Sequence, residues 1–361
     1  MKIALVHFQP LEHYPPVMNC IRDMEKKKLE GVSIISTNSK NNWFSATFPI
    51  FRLGNYTTSR WSRYWTYLYF NLTCLLYLCF YRPKKVLYYE TYSAWPVYWY
   101  KKLFPSIHVF IHFHEYVSDK EKKESSAYYK YLLVKETALL KKAIWISHTN
   151  EDRMRFFQQD FPFVRKDQCY ILPNYPPADW AIRAQQIRAN RQVSAVKRMV
   201  YVGAIGLNST YIREIAAWLK EQKGAFTLDI YSSNMEKAVL DFLHNLNVSY
   251  ISINRAIPYY ELPELLATYD IGLVLYKGII PNHIFSIPNK VYEYLVSGLE
   301  VWYSEELIST NKFKQEYDIQ QLISINFTNL ISLQEKSVFV ICDPPQKIHE
   351  KSPLVSKLIT T

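Results

Sequence analysis

With 361 residues, 49% of them apolar, the chain is long enough for two domains of common size and too apolar for extended disorder. Its 43 basic against 32 acidic residues leave a formal charge of +11, which favours anionic partners such as a nucleotide diphosphate, an acidic membrane surface or nucleic acid over cationic ones. Five cysteines, at positions 20, 74, 79, 169 and 342, lack metal-site spacing and are too few for a disulfide scaffold, so a reducing compartment with buried free thiols is expected. No arginine-rich tail or zinc-finger spacing appears, and a nucleic-acid partner is not expected.

The amino terminus, "MKIALVHFQP", reads as a strand and turns polar too early for a secretory signal. Short apolar runs then recur through "VSIIST", "KVLYYE", "IHVFIHF", "AIWISH" and "CYILPN", separated by crossover-sized segments. That alternation predicts a mostly parallel sheet covered on both faces, with His7 and His114 at strand exits, where sites of such sheets form. Between these runs lies "WTYLYFNLTCLLYLCFY", residues 65–81, followed at once by "RPKK". Its seventeen residues barely approach a bilayer span and include Asn71, so a buried or peripheral helix is expected, with one face available to a membrane. Basic pairs at Arg60 and Arg63, Lys84 and Lys85, Lys101 and Lys102, and Lys141 and Lys142 either face anionic lipid or are individually solvated.

The turn-rich "LPNYPPADW", residues 172–180, marks a domain boundary, after which strands recur at "RMVYVGAIG", "FTLDIYS", "VSYISI", "DIGLVLY" and "LEVWYS". Helices are predicted over Tyr211 to Lys223, Met235 to Leu243, Glu261 to Thr268 and Lys290 to Ser297. "SVFVICD" reads as a further strand, and the tail from His349 as a helix between domains. The whole is an α/β chain of two doubly wound domains with a cleft between them. Residues 1–175 form the first domain, 176–197 a linker, 198–335 the second domain and 336–361 a terminal strand and crossover helix.

Two stretches carry candidate chemistry. In "YVGAIGLNSTYIREI", Gly203 and Gly206 permit close backbone approach, while Asn208, Ser209 and Thr210 can cap a helix whose free amides favour phosphate oxygens. The fragment lacks the full dinucleotide fingerprint and the P-loop lysine, and a plain structural turn is the competing reading. In "SIPNKVYEYLVSGLEVW", Asn289 can cap a helix start, Lys290 can neutralise a diphosphate, Ser286 and Asn289 can make directional contacts, and Glu293 can accept ribose hydroxyls. A solvated Lys–Glu helix pair is the alternative there.

In the order "VFIHFHEY", "SHTNEDRMRFFQQ", "YILPNYPP", "YVGAIG", "LATYDIGLVLY" and "SIPNKVYEYLVSGLEVW", the chain resembles sugar-nucleotide-dependent glycosyltransferases of the GT-B architecture, in particular the retaining family 4. The resemblance implies two Rossmann-like domains facing a central cleft, the first binding acceptor and the second a nucleoside-diphosphate sugar. It implies Lys290 near the donor phosphates, Glu293 near the ribose and His114 facing the donor sugar, with Glu115 supporting the histidine loop. His7 through His13 are implied on the acceptor side, and Asn174 at the hinge. Transfer without a divalent metal or other cofactor follows from the same resemblance. The family's acidic residue upstream of Glu293 is replaced by Phe285, and its Arg and Lys after the glycine loop are not cleanly matched, which points to a divergent branch leaning on Ser286, Asn289 and helix-end amides. The expected acceptor is a cell-envelope glycan or lipid-linked acceptor at the cytoplasmic face of the membrane. A sugar-nucleotide epimerase of similar fold and a noncatalytic nucleotide- or glycan-binding protein are the rival readings.

Overall fold

Runs of Val, Ile, Leu and aromatic residues that are apolar on both faces can only be satisfied inside a covered parallel sheet. In the computed structural model, which describes residues 2–57, 59–192, 194–330 and 353–361, they form two such sheets. The chain divides between Asn174 and Tyr175 into two units, and the last helix, Pro353–Thr360, joins the first. "SVFVICD" lies outside the described residues.

The first unit holds β1 (Ile3–His7), β2 (Val32–Asn38), β3 (Ile50–Asn55), β4 (Lys85–Tyr89), β5 (His108–Phe113), β6 (Trp145–His148) and β7 (Cys169–Ile171). They pair in the order β3-β2-β1-β4-β5-β6-β7, all parallel, with Leu5 registered between Ile34 and Leu87. Strand order reverses between β1 and β4. Such a switch point opens a crevice at the carboxyl ends of the two strands, and here those ends are His7 and Tyr89.

The second unit holds β8 (Lys197–Val202), β9 (Phe226–Ser232), β10 (Ile251–Arg255), β11 (Ile271–Val274), β12 (Glu300–Ser304) and β13 (Leu322–Ile325). Their order, β10-β9-β8-β11-β12-β13, has its switch point between β8 and β11. Residues 176–197 include the helix Asp179–Ala189, whose Trp180 is buried in this unit's core and whose Arg183 forms a two-pronged pair with Glu264 at 2.6 and 2.7 Å.

The predicted helices are present with shifted ends, as Ile212–Glu221, Lys237–Leu246, Leu262–Leu266 and Asn289–Val296. The last of these is held by one tight fit. Gly272 on β11 has no room for a Cβ because the Tyr294 ring lies on it, and the Tyr294 hydroxyl accepts the Val202 amide of β8 at 3.1 Å. Tyr294 thereby fixes the start of its helix, and with it Lys290, over the second switch point.

In the first unit, residues 65–81 belong to a longer helix, Arg60–Tyr81, that packs one face on the sheet through Phe70, Cys74 and Leu78 and leaves the other exposed. Among the described residues no helix is long and apolar enough to cross a membrane. The four described cysteines are free.

Candidate active site

The first switch point is a nest of aromatic rings and histidines. His7 packs edge-on against Tyr14 and Tyr89, at 4.6 and 5.8 Å between centroids. His114 stacks on the same Tyr89 at 5.1 Å and meets Tyr14 at 5.5 Å. His7 and His114, 107 positions apart, therefore share two tyrosine neighbours. Both are buried, and burial pushes His7 down to about 3 and holds His114 well below the usual imidazole range, helped there by His112, His7 and Arg153.

Because these rings are neutral, their hydrogen bonds define tautomers. His112 lies within β5, two residues before His114, which follows the strand, and burial lowers it to about 4. Its Nδ1 meets Ser147 Oγ at 2.7 Å and its Nε2 meets Asn174 Oδ1 at 3.3 Å, while Asn174 Nδ2 stands 3.0 Å from His114 Nδ1. With the Asn174 oxygen facing His112, one pattern satisfies all three contacts, and in it the single Ser147 proton turns from the Ile111 carbonyl, 3.2 Å away, to the nearer His112 Nδ1. Ser147 donates to His112, His112 Nε2–H donates to the Asn174 carbonyl, and the Asn174 amide donates to His114. That leaves the His114 proton on Nε2, an atom without a hydrogen-bond partner among the described residues. His114 thus carries an oriented neutral donor.

The loop behind His114 is built to hold that ring. Asn150 caps the helix Glu151–Asp160 by accepting the Arg153 amide at 2.9 Å, and the Arg153 guanidinium donates to the His114 carbonyl and to Thr149 Oγ. Just after β4, Glu90 accepts the His114 amide at 2.6 Å. Glu90 has φ +61°, a conformation that non-glycine residues adopt at a cost. Burial first, and the Glu115 carboxylate second, push its carboxyl up to about 8, despite the bonds it accepts from backbone amides. Glu136, which accepts Thr91 Oγ at 2.8 Å and the Tyr88 hydroxyl at 3.3 Å, is pushed by burial up to about 7. Glu90, Glu115, Glu136 and His148 line a small pocket, with the Lys122–Asp160 ion pair at 2.5 Å also in its wall.

The second switch point is organised around a cation. Gly203, at the end of β8, has φ +129°, and a Cβ there would stand 2.6 Å from Lys290 Nζ. Glycine is what lets the Lys290 ammonium lie on the turn. The same ammonium sits 6.0 Å from the centroid of Tyr276, whose ring stacks on His283 at 4.9 Å. Ser286, buried, donates its hydroxyl to the His283 carbonyl at 2.8 Å, so that hydroxyl's proton is already committed. Glu293 is buried one turn after Lys290. Burial raises its carboxyl to about 7 against the opposing pull of Lys290 and of a hydrogen bond from Tyr259.

Three expectations change. The cap before Ile212–Glu221 is Tyr211, and neither Asn208 nor Ser209 bonds a helix-end amide; Asn208 is exposed, and Thr210 spends its hydroxyl on the Gly206 carbonyl at 2.7 Å. Pro288 occupies the cap of the second helix, which makes Asn289 its first helical residue and not its cap. The glycine loop also already holds an anion, since Glu236 accepts the Leu207 amide at 3.2 Å and leaves no space for a Cβ at Gly206. A phosphate at that loop has to displace this carboxylate.

Of the other residues singled out in sequence, Glu115 is exposed on the pocket rim, and His13 is exposed with its ring edge-on to Tyr56, outside the histidine nest. His112 and Glu90 escaped notice. The H-x-H spacing on a strand was the available signal for the first; the positive φ of the second has no signature in "KVLYYE". Among the described residues no group of three or more His, Cys, Asp or Glu is placed to hold a metal ion.

No family model matches the chain, and no curated protein does. Solved structures resemble it along nearly its full length. Sucrose-phosphate synthase from Thermosynechococcus elongatus aligns over 100% of this chain and 97% of its own at 12% identity with a TM-score of 0.69. UDP-GlcNAc 2-epimerase from Neisseria meningitidis, bound to UDP-GlcNAc, covers 100% of both chains at 13% identity and 0.65. A glycosyltransferase from Rickettsia africae covers 99% of this chain and 94% of its own at 12% and 0.62. At such identities the likeness is one of fold: two Rossmann-like α/β units with parallel sheets, as in the GT-B architecture.

Proposed function

We propose that the chain is an enzyme acting on a nucleoside-diphosphate sugar, and that it transfers the sugar to an acceptor hydroxyl with retention of configuration. The observation that carries this reading is Lys290, whose ammonium rests on the Gly203 turn at the second switch point with buried Glu293 one turn behind it. An anion with hydroxyls attached matches that pair better than a simple anion does. In the proposed reaction the bond from the anomeric carbon to the diphosphate oxygen breaks as the acceptor oxygen bonds the same face. The acceptor proton passes to a donor phosphate oxygen. Lys290 stabilises charge developing on the leaving diphosphate, Glu293 accepts ribose hydroxyls, and His114 donates its Nε2–H to the sugar. Ser286 and Asn289 are further donor contacts, and His7 shapes the acceptor side. The proposed acceptor is a cell-envelope glycan or lipid-linked acceptor.

Glu90 gives one specific reason to keep epimerisation as a second reading. A carboxyl raised to about 8 beside the Glu115 carboxylate can hold and release a proton near neutral pH, as an epimerase requires. The deciding experiment is a nucleotide-sugar binding screen followed by mass detection of products with candidate acceptors. Binding lost in folded Lys290→Ala and Glu293→Ala variants supports the donor site, and undiminished binding in both overturns it. A glycosylated acceptor identifies transfer; altered free nucleotide sugar with no acceptor consumed identifies epimerisation.

A further inference from the structure

The exposed face of Arg60–Tyr81 is unlike the rest of the surface. Trp61, Trp65, Leu68, Leu72, Leu76 and Phe80 stand 79, 71, 49, 46, 70 and 89% exposed, at spacings of three or four residues. Such spacing places them in a single stripe, and 22 helical residues make it about 33 Å long. Two neighbouring helices extend the layer: Ala94–Leu103 packs beside it and Ala127–Leu140 beside that, adding exposed Leu103, Tyr131 and Val134. An apolar area of this extent on an otherwise solvated surface marks something that covers it.

Charge selects the occupant. Neither Arg60–Tyr81 nor Ala94–Leu103 contains an acidic residue, and the one acid of Ala127–Leu140, Glu136, is buried beneath the layer. Exposed Arg63, Lys102 and Lys130 accompany the stripe, and Lys135 sits among the rings of Tyr98, Trp99 and Tyr131. The imbalance extends to the whole unit. Residues before Tyr175 number 25 basic and 14 acidic, while those from Tyr175 onward number 18 of each, so the entire net charge of the chain belongs to its first part. A second copy of the chain would bring the same positive charge to the contact. An anionic bilayer brings the opposite charge and a hydrocarbon layer. Tryptophans are suited to the depth of the headgroups, and the helix that carries them is not apolar enough to span.

We propose that the first unit docks on anionic membrane through the outer face of Arg60–Tyr81, which lies flat in the headgroup region with the basic residues beside it. The proposal is independent of which reaction the protein catalyses, and its test uses no nucleotide sugar. The full chain is floated with phosphatidylcholine vesicles, with and without about 30% phosphatidylglycerol, at about 0.1 and 0.5 M salt. Expected is binding to the anionic vesicles, weakened at least fivefold by the higher salt and at least tenfold by Trp65→Ser combined with Leu72→Ser and Leu76→Ser. All three side chains are exposed, so the variant keeps its fold, checked by an unchanged melting temperature; Trp61→Ser alone is a milder second variant. Equal flotation of the native chain and both variants overturns the proposal. So does absence of vesicle binding together with sedimentation as a dimer that the triple variant converts to monomer, which would make the occupant a second copy.

Discussion

The two switch points occupy equivalent places in similar sheets and carry opposite chemistry. At the first, buried His112 and His114, bridged by Asn174, and the raised carboxyl of Glu90 form a neutral hydrogen-bonded set that is oriented before any ligand arrives. At the second, an ammonium lies on a glycine turn, with buried Glu293 one turn behind it. The contrast separates two duties. A charge attracts an anion over several ångströms and tolerates misplacement, whereas a neutral N–H discriminates among hydroxyls only when its direction is fixed.

Lys290→Ala offers the largest test of that division. Removing the charge is expected to weaken nucleoside-diphosphate binding about 100-fold, or about 3 kcal/mol, by calorimetry. Lys290→Arg is expected to restore only part, since a planar fork does not fit over the Gly203 turn as an ammonium does. Equal affinity in all three proteins would remove the charge-based half of the comparison.

Glu90→Gln probes the neutral half through pH. A carboxyl raised in the fold to about 8 costs stability as pH climbs from its ordinary value near 4.5 through 8, because the folded state retains a proton that the unfolded chain releases. Glutamine keeps an acceptor for the His114 amide and cannot ionise. The variant is expected to gain on the order of 2 kcal/mol over the native protein at pH 8.5, and nothing at pH 4.5, in urea unfolding. Histidines lowered by burial act in the other direction, losing stability as pH falls below 6.5, and they are common to both proteins. A pH-independent difference would show that Glu90 is not protonated in the fold.

Asn174→Ala is the smaller test of orientation. With the amide gone, His114 loses the donor that fixes its tautomer, and turnover at saturating substrate is expected to fall about tenfold with little change in KM. Imidazole nitrogen shifts should move from a single Nε2–H form to a mixture, a change that a merely structural asparagine would not produce. Smallest of all, Glu236→Gln should tighten donor binding two- to fivefold, by about 0.5–1 kcal/mol, if the glycine loop takes part in binding phosphate. Unchanged affinity would assign anion binding to Lys290 alone.

Much of this architecture was legible because buried parallel strands are apolar on both faces and leave unbroken runs. The strands that were not read are at or near sheet edges. In β3, "IFRLGN" is half-exposed throughout and interrupted by Gly54, and β13 is four residues long. At the two switch points, His114 in the first unit and Lys290 and Glu293 in the second are legible as unlike residue types beside turns. The sequence places Asn174 only at a hinge, and its bridge between two histidines depends on strands β5 and β7 lying close across β6, a relation no local pattern encodes. Caps were misread for a related reason: a side chain able to cap is also able to bond its own loop, as Thr210 does.

Lys85 opens β4 almost fully buried, and its ammonium is accepted by the Leu358 carbonyl at 2.9 Å. Nearby, Lys27 donates to Ser356 at 2.7 Å, and the Lys357 ammonium lies 3.8 Å from the centroid of Tyr170. The first unit is thus completed by residues synthesised after the whole second unit. During synthesis the amino-terminal sheet is made long before the carbonyl that accepts Lys85, so the part made first is the last to be finished.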